Sequence, residues 1–558
     1  MRRVLLFVFV LAAVACGQEK KADVIFIHGD FYLGAPNSAS RAAQDHATSL
    51  AVADGRVIGY GSKDADISKS FRGQNTKIID LGGHFVMPGF NDAHSHLASG
   101  GFEKLNVNLV GAKSLAEMQS RIAERVKTAL PGEWILGRGW DHTLWPGKTL
   151  PTRQDLDKVT GDHPAIFGRV DGHIAVANTA ALKTAGITKE TQPKQGSAID
   201  HDASGEPTGI LREDPAMSLV RSKIPAATRE QRRRGMELAL KDARESGVTS
   251  AEDNSDWEDF LVLEQMEKEG KLTARVTEWL PFNESVENLK KMRAHHPAND
   301  IMLHTGMLKG YMDGSLGSRT AALLGPYADD PHNSGLSRFT QEDLNQKVKE
   351  RAAAGFQIGF HAIGDKGIEM ALNAFQQAGN HSELRFRIEH DQIVDPNQIA
   401  RYKQLGVIAS VQPNHLLTDM RWVEDRVGKE RASHSYPWKS YLDAGVPIAF
   451  GTDYPVEPIT PFRGMYSAVT RKNEAGTMEF YPKEKLTIDQ AIAAYTTSSA
   501  YAEFEEKTKG TLAPGMLADF IVLDRDITKV PSAEILKTKV LRTVVGGKTV
   551  YEAAGATK

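Results

Sequence analysis

The central part of the chain alternates short apolar runs with longer stretches of helical period. Eight of the runs have the length of a strand and lie between turn-type or charged residues: 85–87, 248–251, 274–280, 304–311, 356–360, 385–388, 407–411 and 447–450. Runs without strict polar alternation indicate strands covered on both faces, as in a parallel sheet. Eight strand–helix repeats predict an α/β fold, a closed (β/α)8 barrel of the TIM type, with its active site at the carboxyl ends of the strands.

The helix before the second predicted strand is marked at both ends. Thr228 and Gln231 have the spacing of a capping box, Met236 and Leu240 are apolar, and Gly247 is a stop. The capping side chains satisfy backbone N–H groups of the first turn, and glycine accepts the left-handed conformation that ends a helix. We therefore expect a helix between Thr228 and Gly247.

Both ends of the chain carry short β-type segments separated by turn residues. These segments are 23–28, 49–52, 56–60, 518–523, 540–545 and 548–551. Neither terminal set has enough strands to bury both of its faces alone, whereas a joint sandwich would. We expect one small β-sandwich domain from residues 23–86 and 505–558, beside a barrel domain at residues 87–504.

The segment between the first and second predicted barrel strands is far longer than an ordinary connection. We expect an insertion at about residues 98–245, which contains two more strand-like runs, 134–138 and 165–170. An insertion after the first strand would overhang the mouth of the barrel, so it is the best candidate for substrate recognition. The alternative is that the insertion is a surface addition that takes no part in substrate recognition.

The charge of the chain excludes one class of partner. Its 558 residues carry 68 Lys plus Arg against 71 Asp plus Glu, a formal net charge of -3, without a basic stripe. Nucleic acid is not an expected partner, because its recognition requires a concentrated positive surface.

The first residues have the pattern of an export signal, which we place at residues 1–22. Arg2 and Arg3 precede an apolar run, 4–15, that is too short to span a bilayer permanently. The single cysteine, Cys16, follows an Ala-Val-Ala tripeptide that resembles the lipobox of bacterial lipoproteins.

We therefore expect export from a bacterial cytoplasm to the periplasm, with the membrane contacted only through a lipid on Cys16. Ordinary secretion of a soluble protein is the alternative. Without other cysteines, the exported body has neither disulfides nor a thiolate metal site. The sequence leaves the oligomeric state open.

Side chains of the metal-binding type end several of the predicted strands. His94 and His96 are two positions apart at the end of one strand, and His361, His390 and Asp453 end others. Side chains two apart on an extended strand point to the same side. Neutral imidazoles that leave positions open for water indicate a catalytic divalent metal, and zinc is the expected ion. Each residue taken singly also has a role that needs no metal. His94 and His96 could be polar loop residues, and His361 and His390 could be hydrogen-bonded core histidines. Asp453 could be a helix N-cap.

Lys309 ends an apolar strand, where an ammonium group beside divalent cations would be strongly unfavourable. Reaction with carbon dioxide would convert it into a carbamate, an anionic bridge between two ions. The alternatives are that Lys309 binds a substrate carboxylate or lies outside the barrel in water, and a register slip of one residue leaves the choice open.

These residues, in this order, resemble the amidohydrolase superfamily of metal-dependent barrel hydrolases, and closely its amidohydrolase-3 branch, which includes N-substituted formamide deformylases. The resemblance spans nearly all of the chain after the signal, and its most similar segments are 88–96, 313–319, 361–365, 387–390, 451–453 and 510–519. It implies one or two divalent ions per chain. His94 and His96 would bind the more buried ion, and His361 and His390 the more exposed one. Lys309 would be the carboxylated bridge, and Asp453 would bind the buried ion and carry the proton.

The resemblance implies an enzyme that hydrolyses a non-peptide carbon–nitrogen bond, of the amide or formamide type, in a small molecule. Metal-activated water would attack the carbonyl carbon, and Asp453 would pass its proton to the leaving nitrogen. Opening of cyclic amides, cleavage of dipeptides or N-acyl amino acids, and deamination stay open on the same scaffold. A metal-binding lipoprotein without activity is a further alternative.

Five more polar residues are candidates for substrate binding. They lie in glycine-containing segments of the insertion and of the loop after the lysine strand: Asp141, Arg169, His173, Asp313 and Arg319. Structural polar residues, or a mobile surface loop, are the alternatives. Glu389 is expected to face away from the barrel axis, because it precedes His390, and to pair with Arg385 or Arg387.

Overall fold

The computed structural model describes residues 20–34, 47–170, 172–194 and 197–555. The apolar run of the predicted signal and Cys16 lie outside these residues. Within the described ranges, no helix combines the length and the apolar character that crossing a bilayer requires.

The amino-terminal segment forms one small sheet and the edge of another. Its elements are β1 (Val24–Ile27), β2 (Asp30–Phe31), β3 (Ser49–Ala53), β4 (Arg56–Gly61), α1 (Asp64–Phe71), β5 (Lys77–Asp80) and β6 (Phe85–Pro88). The first sheet has the order β4-β3-β1-β5, and β2 pairs with β6 in the second.

The barrel begins with β7 (Phe90–Ser95), followed by α2 (Leu97–Leu105) and an inserted α/β unit. The elements of this unit are β8 (Val107–Asn108), α3 (Leu115–Val126), β9 (Ile135–Trp140), α4 (Arg153–Thr160), β10 (Ala165–Arg169), β11 (Ile174–Ala177), α5 (Thr179–Thr184), β12 (Ala198–His201), β13 (Pro207–Arg212) and α6 (Glu213–Arg221). Its strands form a separate sheet in the order β12-β13-β11-β10-β9-β8. Apolar side chains of α3 and α4 pack with one set of its strand residues and those of α5 and α6 with another, so the insertion has a core of its own.

The remainder of the barrel alternates helices and strands. These elements are α7 (Arg229–Glu245), β14 (Val248–Asp253), α8 (Trp257–Lys268), β15 (Arg275–Pro281), α9 (Val286–His295), β16 (Leu303–Tyr311), α10 (Gln341–Ala353), β17 (Ile358–Ala362), α11 (Asp365–Ala378), β18 (Arg387–His390), α12 (Pro396–Leu405), β19 (Ile408–Val411), α13 (Asn414–Asp419), α14 (Val423–Ala432), α15 (Trp438–Asp443), β20 (Ile448–Phe450), α16 (Pro461–Thr470), α17 (Ile488–Ala494) and α18 (Thr497–Ala502). Short 3-10 turns lie at 142–144, 146–148, 382–384, 482–484 and 532–537.

The eight barrel strands are neighbours in chain order and every pair is parallel. The first and last strands meet at the mouth, where Asp453 N–H donates to His94 O and His96 N–H donates to Tyr454 O, each over 2.8 Å. The backbone around β7 therefore fixes Asp453 beside the histidines.

The carboxyl end returns to the amino-terminal sheets through β21 (Phe520–Leu523), β22 (Val540–Val545) and β23 (Lys548–Glu552). β21 pairs antiparallel with β6, with Ile521 opposite Met87, and the mixed sheet has the order β2-β6-β21-β22-β23. One hydrophobic cluster contains side chains of both small sheets, and the rings of Phe26 and Phe520 meet edge to face at 4.8 Å in it.

The segment between the barrel and β21 covers the amino ends of the first barrel strands. Glu503 accepts hydrogen bonds from Asn91 of β7 and from Thr277 of β15, and it pairs with Lys509 over 2.7 Å. Lys509 also donates to Ser250 of β14. The floor of the barrel is thus closed by buried polar contacts.

The structure confirms the predicted barrel and corrects its first strand. The run 85–87 belongs to β6 and pairs with β21, whereas the barrel strand starts at Phe90. Only Gly89 separates β6 from β7, and the sequence pattern merged the two strands. The predicted helix is α7, and both hydrogen bonds of its capping box at Thr228 are present.

Candidate active site

Six side chains from five barrel strands converge at the carboxyl ends of the strands. They are His94 in β7 and His96 directly after it, Lys309 in β16, His361 in β17, His390 at the end of β18 and Asp453 shortly after β20. All lie at or near a strand end, so the closed parallel sheet alone brings them together.

The distances within this group are those of a single cluster. Lys309 Nζ lies 3.1 Å from His94 Nε2, and His96 Nε2 lies 3.1 Å from Asp453 Oδ1. The ring centre of His390 is 4.8 Å from that of His94 and 4.3 Å from that of His361. The structure therefore brings together all six residues that the sequence singled out.

Three of the histidines are oriented by hydrogen bonds at the ring nitrogen that faces away from the cluster. His94 Nδ1 donates to Glu389 Oε2 over 2.7 Å, and His96 Nδ1 donates to Asn254 O over 3.1 Å. His361 Nε2 donates to Gly314 O over 2.9 Å. Such contacts fix the tautomer and leave the other ring nitrogen as a lone-pair donor for a ligand.

Glu389 lies inside the barrel, contrary to the prediction that it faces away from the axis. The regular alternation of side chains stops at His390, which has a φ of 81°, and the side chains of Glu389 and His390 both contact His94 in the interior. Glu389 Oε1 accepts from Arg387 Nε over 2.9 Å, so the predicted pairing with Arg387 is confirmed, whereas Arg385 pairs with Glu506.

Arg387 continues this network below the cluster. Its side chain is fully buried and contacts Glu252, which also accepts from Trp279 Nε1 over 3.0 Å. The charge of Glu389 is thus balanced inside the barrel, where a bare carboxylate would be costly.

Two buried polar atoms at the cluster lack a hydrogen-bond partner among the described residues: Asp453 Oδ1 and His390 Nδ1. Two triads of donor atoms close enough to share one ion meet at Asp453, His94–His96–Asp453 and His390–His415–Asp453. Imidazole and carboxylate donors suit zinc. Buried donors without partners are expensive unless a ligand satisfies them, so the residues present fit a divalent cation.

Burial and neighbouring charge set the protonation of the cluster. Burial lowers the pKa of Lys309 to about 8 and that of His361 to about 4. Burial also acts against the charged form of His415, but its hydrogen bond to Asp453 and the charge of that carboxylate raise its pKa to about 9. His415 Nε2 lies 3.0 Å from Asp453 Oδ2, so Asp453 is held between His415 on one side and His94 and His96 on the other.

The cluster lies in a cavity of about 510 Å³. Apart from the cluster itself, the lining residues are Tyr311, Ser315, Leu316, Gly317, Ile363, Gln392, His415, Thr418, Asp419, Trp422, Val456 and Glu457. In the part of the chain that the structure describes, every lining residue belongs to a barrel strand or to a loop or helix after one.

The sequence profile of the amidohydrolase family matches residues 77–551. The chain belongs to this family. The match covers the whole barrel and most of the second small sheet, but only β5 of the first.

Relatives of known sequence agree with this assignment over nearly their full length. A putative amidohydrolase, YtcJ, of Bacillus subtilis is 32% identical, with 91% of this chain and 96% of that protein covered. The N-substituted formamide deformylase of Arthrobacter pascens is 26% identical, with 91% and 96% covered.

Among solved structures, an uncharacterised metal-dependent hydrolase from Pyrococcus furiosus is similar with a TM-score of 0.74 and 31% identity, over 91% of this chain and 100% of that one. The chain is accordingly a metal-dependent hydrolase of the amidohydrolase type, the class that acts on carbon–nitrogen bonds other than peptide bonds.

In this amidohydrolase, the three insertion residues predicted to bind substrate do not line the cavity. Asp141 and Arg169 form an ion pair of 2.8 Å with each other, and His173 pairs with Glu213 over 3.0 Å. The insertion packs its apolar residues into its own core. The barrel loops, and not the insertion, therefore supply the wall around the cluster.

The two candidates after the lysine strand have structural partners as well. Asp313 is buried, accepts from the backbone N–H of Ala322, Ile363 and Gly364, and lies 3.4 Å from His361 Nε2. Arg319 forms a two-pronged pair with Asp329. Ser315, which lies in the same loop, does line the cavity.

Several lining residues were not anticipated from the sequence. His415 belongs to a short helix after β19, and Trp422 lies just beyond it, where no spacing or strand end marks them. Tyr311 is the last residue of β16, two positions beyond Lys309. Side chains two apart on a strand point to the same side, and this spacing is the one sequence signal that could have identified Tyr311.

Proposed function

We propose that this amidohydrolase cleaves the carbon–nitrogen bond of a small, uncharged amide of the formamide type by attack of metal-activated water. The observation that carries the proposal is the cluster at the mouth, whose buried donor atoms Asp453 Oδ1 and His390 Nδ1 lack partners among the described residues. A structural zinc site is closed by its four ligands, whereas six convergent side chains can leave positions open.

The donor set divides into two groups. His94, His96 and Asp453 would hold one ion, and His361 and His390 a second, with zinc the metal that suits these donors. A bound zinc ion supplies a water of near-neutral pKa and polarises the carbonyl oxygen.

We propose that Lys309 becomes a carbamate. Its amine is buried, 3.1 Å from His94 Nε2, and its lowered pKa makes the neutral form accessible near pH 8. In the neutral form the nitrogen bonds to the carbon of carbon dioxide, a C–O electron pair moves onto oxygen, and one N–H proton leaves to solvent. The product carries a negative charge where two cations would otherwise repel each other.

Asp453 is the base and acid of the proposed reaction. Its Oδ1 faces His94 and His96, while its Oδ2 accepts from His415 over 3.0 Å. In this position the carboxylate takes the proton of the attacking water and returns it to the leaving nitrogen. His415 acts as a positioning residue that keeps Asp453 at the cluster.

The cavity wall favours an uncharged substrate with an apolar group. Leu316, Ile363, Trp422 and Val456 supply apolar surface, and the volume of about 510 Å³ suits a small molecule. Asp419 and Glu457 also face the cavity, and no arginine of the described residues does. With Lys309 as a carbamate, a substrate carboxylate would meet no cationic side chain of the lining other than His415. The relative named as an N-substituted formamide deformylase supports the same substrate class.

A pair of substrates tests this proposal. N-benzylformamide and N-formylphenylglycine share the formyl group and the aromatic ring but differ by one carboxylate. We expect kcat/KM to be at least tenfold higher for N-benzylformamide on the zinc-loaded enzyme. A preference for the carboxylate substrate would favour N-acyl-amino-acid hydrolysis. Cyclic imides and aminopyrimidines in the same assay distinguish ring opening and deamination, and full zinc occupancy without turnover of any of them would contradict hydrolysis.

We also propose that the chain is exported and anchored to the periplasmic face of a membrane by a lipid on Cys16. The lone cysteine after the apolar run supports this. Labelling of the wild-type chain with a palmitate analogue in a bacterial host, and loss of the label in Cys16→Ser, is the expected result. Equal labelling of both would contradict the anchor.

A further inference from the structure

A second group of metal-binding side chains lies at the opposite edge of the barrel. Glu267 is near the end of α8, His296 follows α9, and Asp300 is in the segment that enters β16. Their donor atoms lie within 4.8 Å of one another. Segments that enter parallel strands lie at the amino-end edge, and the six residues from Leu303 to Lys309 along β16 put roughly 20 Å between this group and the catalytic cluster.

His296 presents a buried lone pair to this group. Its side chain is 7% exposed, and Nδ1 donates to Glu264 Oε1 over 3.2 Å. Nε2 is buried and has no hydrogen-bond partner among the described residues. Phe260 packs edge to face against the ring at 5.7 Å, so the ring orientation is fixed.

The two carboxylates point at that same nitrogen. Glu267 Oε2 lies 3.4 Å from Nε2 and Asp300 Oδ2 lies 3.6 Å from it. Asp300 Oδ1 accepts from the backbone N–H of Met302 and Leu303, which leaves Oδ2 directed at the group.

No lysine or arginine of the described residues balances the negative charge of the two carboxylates in this group. In the described ranges, neither Glu267 nor Asp300 forms an ion pair with a lysine or an arginine. Burial and the neighbouring Asp300 raise the pKa of Glu267 to about 7. A cation at the centre would relieve the repulsion between the two carboxylates and satisfy the free nitrogen.

We propose that Glu267, His296 and Asp300 bind a zinc ion that ties the ends of α8 and α9 to the segment entering β16. One imidazole and two carboxylates suit zinc better than magnesium or calcium, which prefer oxygen ligands alone. Glu264 completes the arrangement, because a carboxylate behind a ligating histidine fixes its tautomer and strengthens it as a donor. The ion would stabilise the barrel without entering the reaction.

The test compares zinc content between matched variants. Glu267→Gln removes one ligand charge, and Glu258→Gln makes the same change at an exposed position of the same helix. After dialysis against buffered zinc, we expect Glu258→Gln to retain the zinc content of the unaltered chain and Glu267→Gln to hold one ion fewer per chain. The hydrolytic kcat of both should match that of the unaltered enzyme.

Equal zinc content in the two variants would overturn the proposal. A second measurement needs no variant: anomalous scattering from zinc-soaked crystals of the unaltered chain. A peak between His296 Nε2 and Glu267 supports the site, whereas an empty position at zinc concentrations that fill the catalytic cluster contradicts it.

Discussion

At the scale of single residues, Lys309 and His94 face each other at 3.1 Å inside the barrel, and both side chains are buried. Replacing Lys309 by alanine removes the group that we propose to bridge two ions. We expect Lys309→Ala to lose at least one metal ion per chain and to lower kcat by a factor of 100 or more. Metal analysis and steady-state kinetics measure the two effects.

The same variant can separate a carbamate from a plain amine. The space vacated in Lys309→Ala has room for a short carboxylate, so added propionate should restore part of the activity if an anion belongs there. Lys347→Ala, on the outer helix α10, is the matched control and should behave as the unaltered enzyme. Survival of both activity and metal content in Lys309→Ala would exclude the bridge.

Glu389 gives a second test at this scale. It does not line the cavity, but it orients His94, one of the proposed metal ligands. Glu389→Gln keeps the shape but weakens the hold on His94 Nδ1 and leaves Arg387 with less compensation. Loss of such a contact lowers metal affinity by about 10–100-fold. Competition with a chromogenic zinc chelator measures this, and Glu383→Gln, at an exposed position, is the control. An unchanged zinc affinity would show that Glu389 only balances Arg387.

The sequence predicted the six cluster residues because each ends an apolar run, and the carboxyl ends of barrel strands share one mouth. It failed at Glu389, where alternation places neighbours on opposite faces but the backbone of His390 breaks the pattern. It also missed His415 and Trp422. Their positions depend on how the segment after β19 folds over the mouth, and no local periodicity encodes that path.

At the scale of elements, the strand pattern identified every barrel strand except the first. β6 is an apolar run and β7 is largely polar, so the pattern selected β6, whose partner β21 lies far away in the chain. Local propensity cannot specify such a partner. The insertion posed the same difficulty, because its strand-like runs predicted a sheet but not its placement relative to the cavity.

A buried ion pair joins the barrel to the small sheets, and a substitution in this pair tests how strongly the two parts are coupled. Arg275 of β15 binds Asp519, directly before β21, through two hydrogen bonds of 2.6 and 2.8 Å, and their side chains are 4% and 6% exposed. Removing one partner of a buried pair leaves an unpaired charge and costs about 3–5 kcal/mol. Arg275→Met should therefore lower the free energy of unfolding by about this amount, which a lower midpoint of urea unfolding would show.

Lys271→Met provides the comparison for this prediction. Lys271 pairs with Glu269 at the surface, with 55% of its side chain exposed, and such pairs contribute about 0–1 kcal/mol. Similar midpoints for the two variants would mean that the barrel and the small sheets unfold independently of the Arg275 contact.

At the scale of the whole molecule, the proposed ligands come from five of the eight strands, so a bound ion links strands that are far apart in the chain. Chelation should lower the calorimetric midpoint of the barrel. A ligand present at 1,000 times its Kd stabilises by about 4 kcal/mol. The insertion is an internal control, because its core is separate and its transition should not move. If the chelator left the calorimetric midpoint of the barrel unchanged, this result would contradict metal binding at the cluster.

The pairing of β6 with β21 also bears on how the chain is made. Met87 and Ile521 lie opposite each other, yet at a synthesis rate of about 5–20 residues per second the second strand leaves the ribosome roughly 20–90 s after the first. Throughout that interval the apolar β6 lacks its neighbour, and an unpaired strand edge is a template for association with other chains. We therefore expect a chain that ends before β21 to expose this edge and to aggregate more readily than the full chain, which light scattering of the two at equal concentration measures.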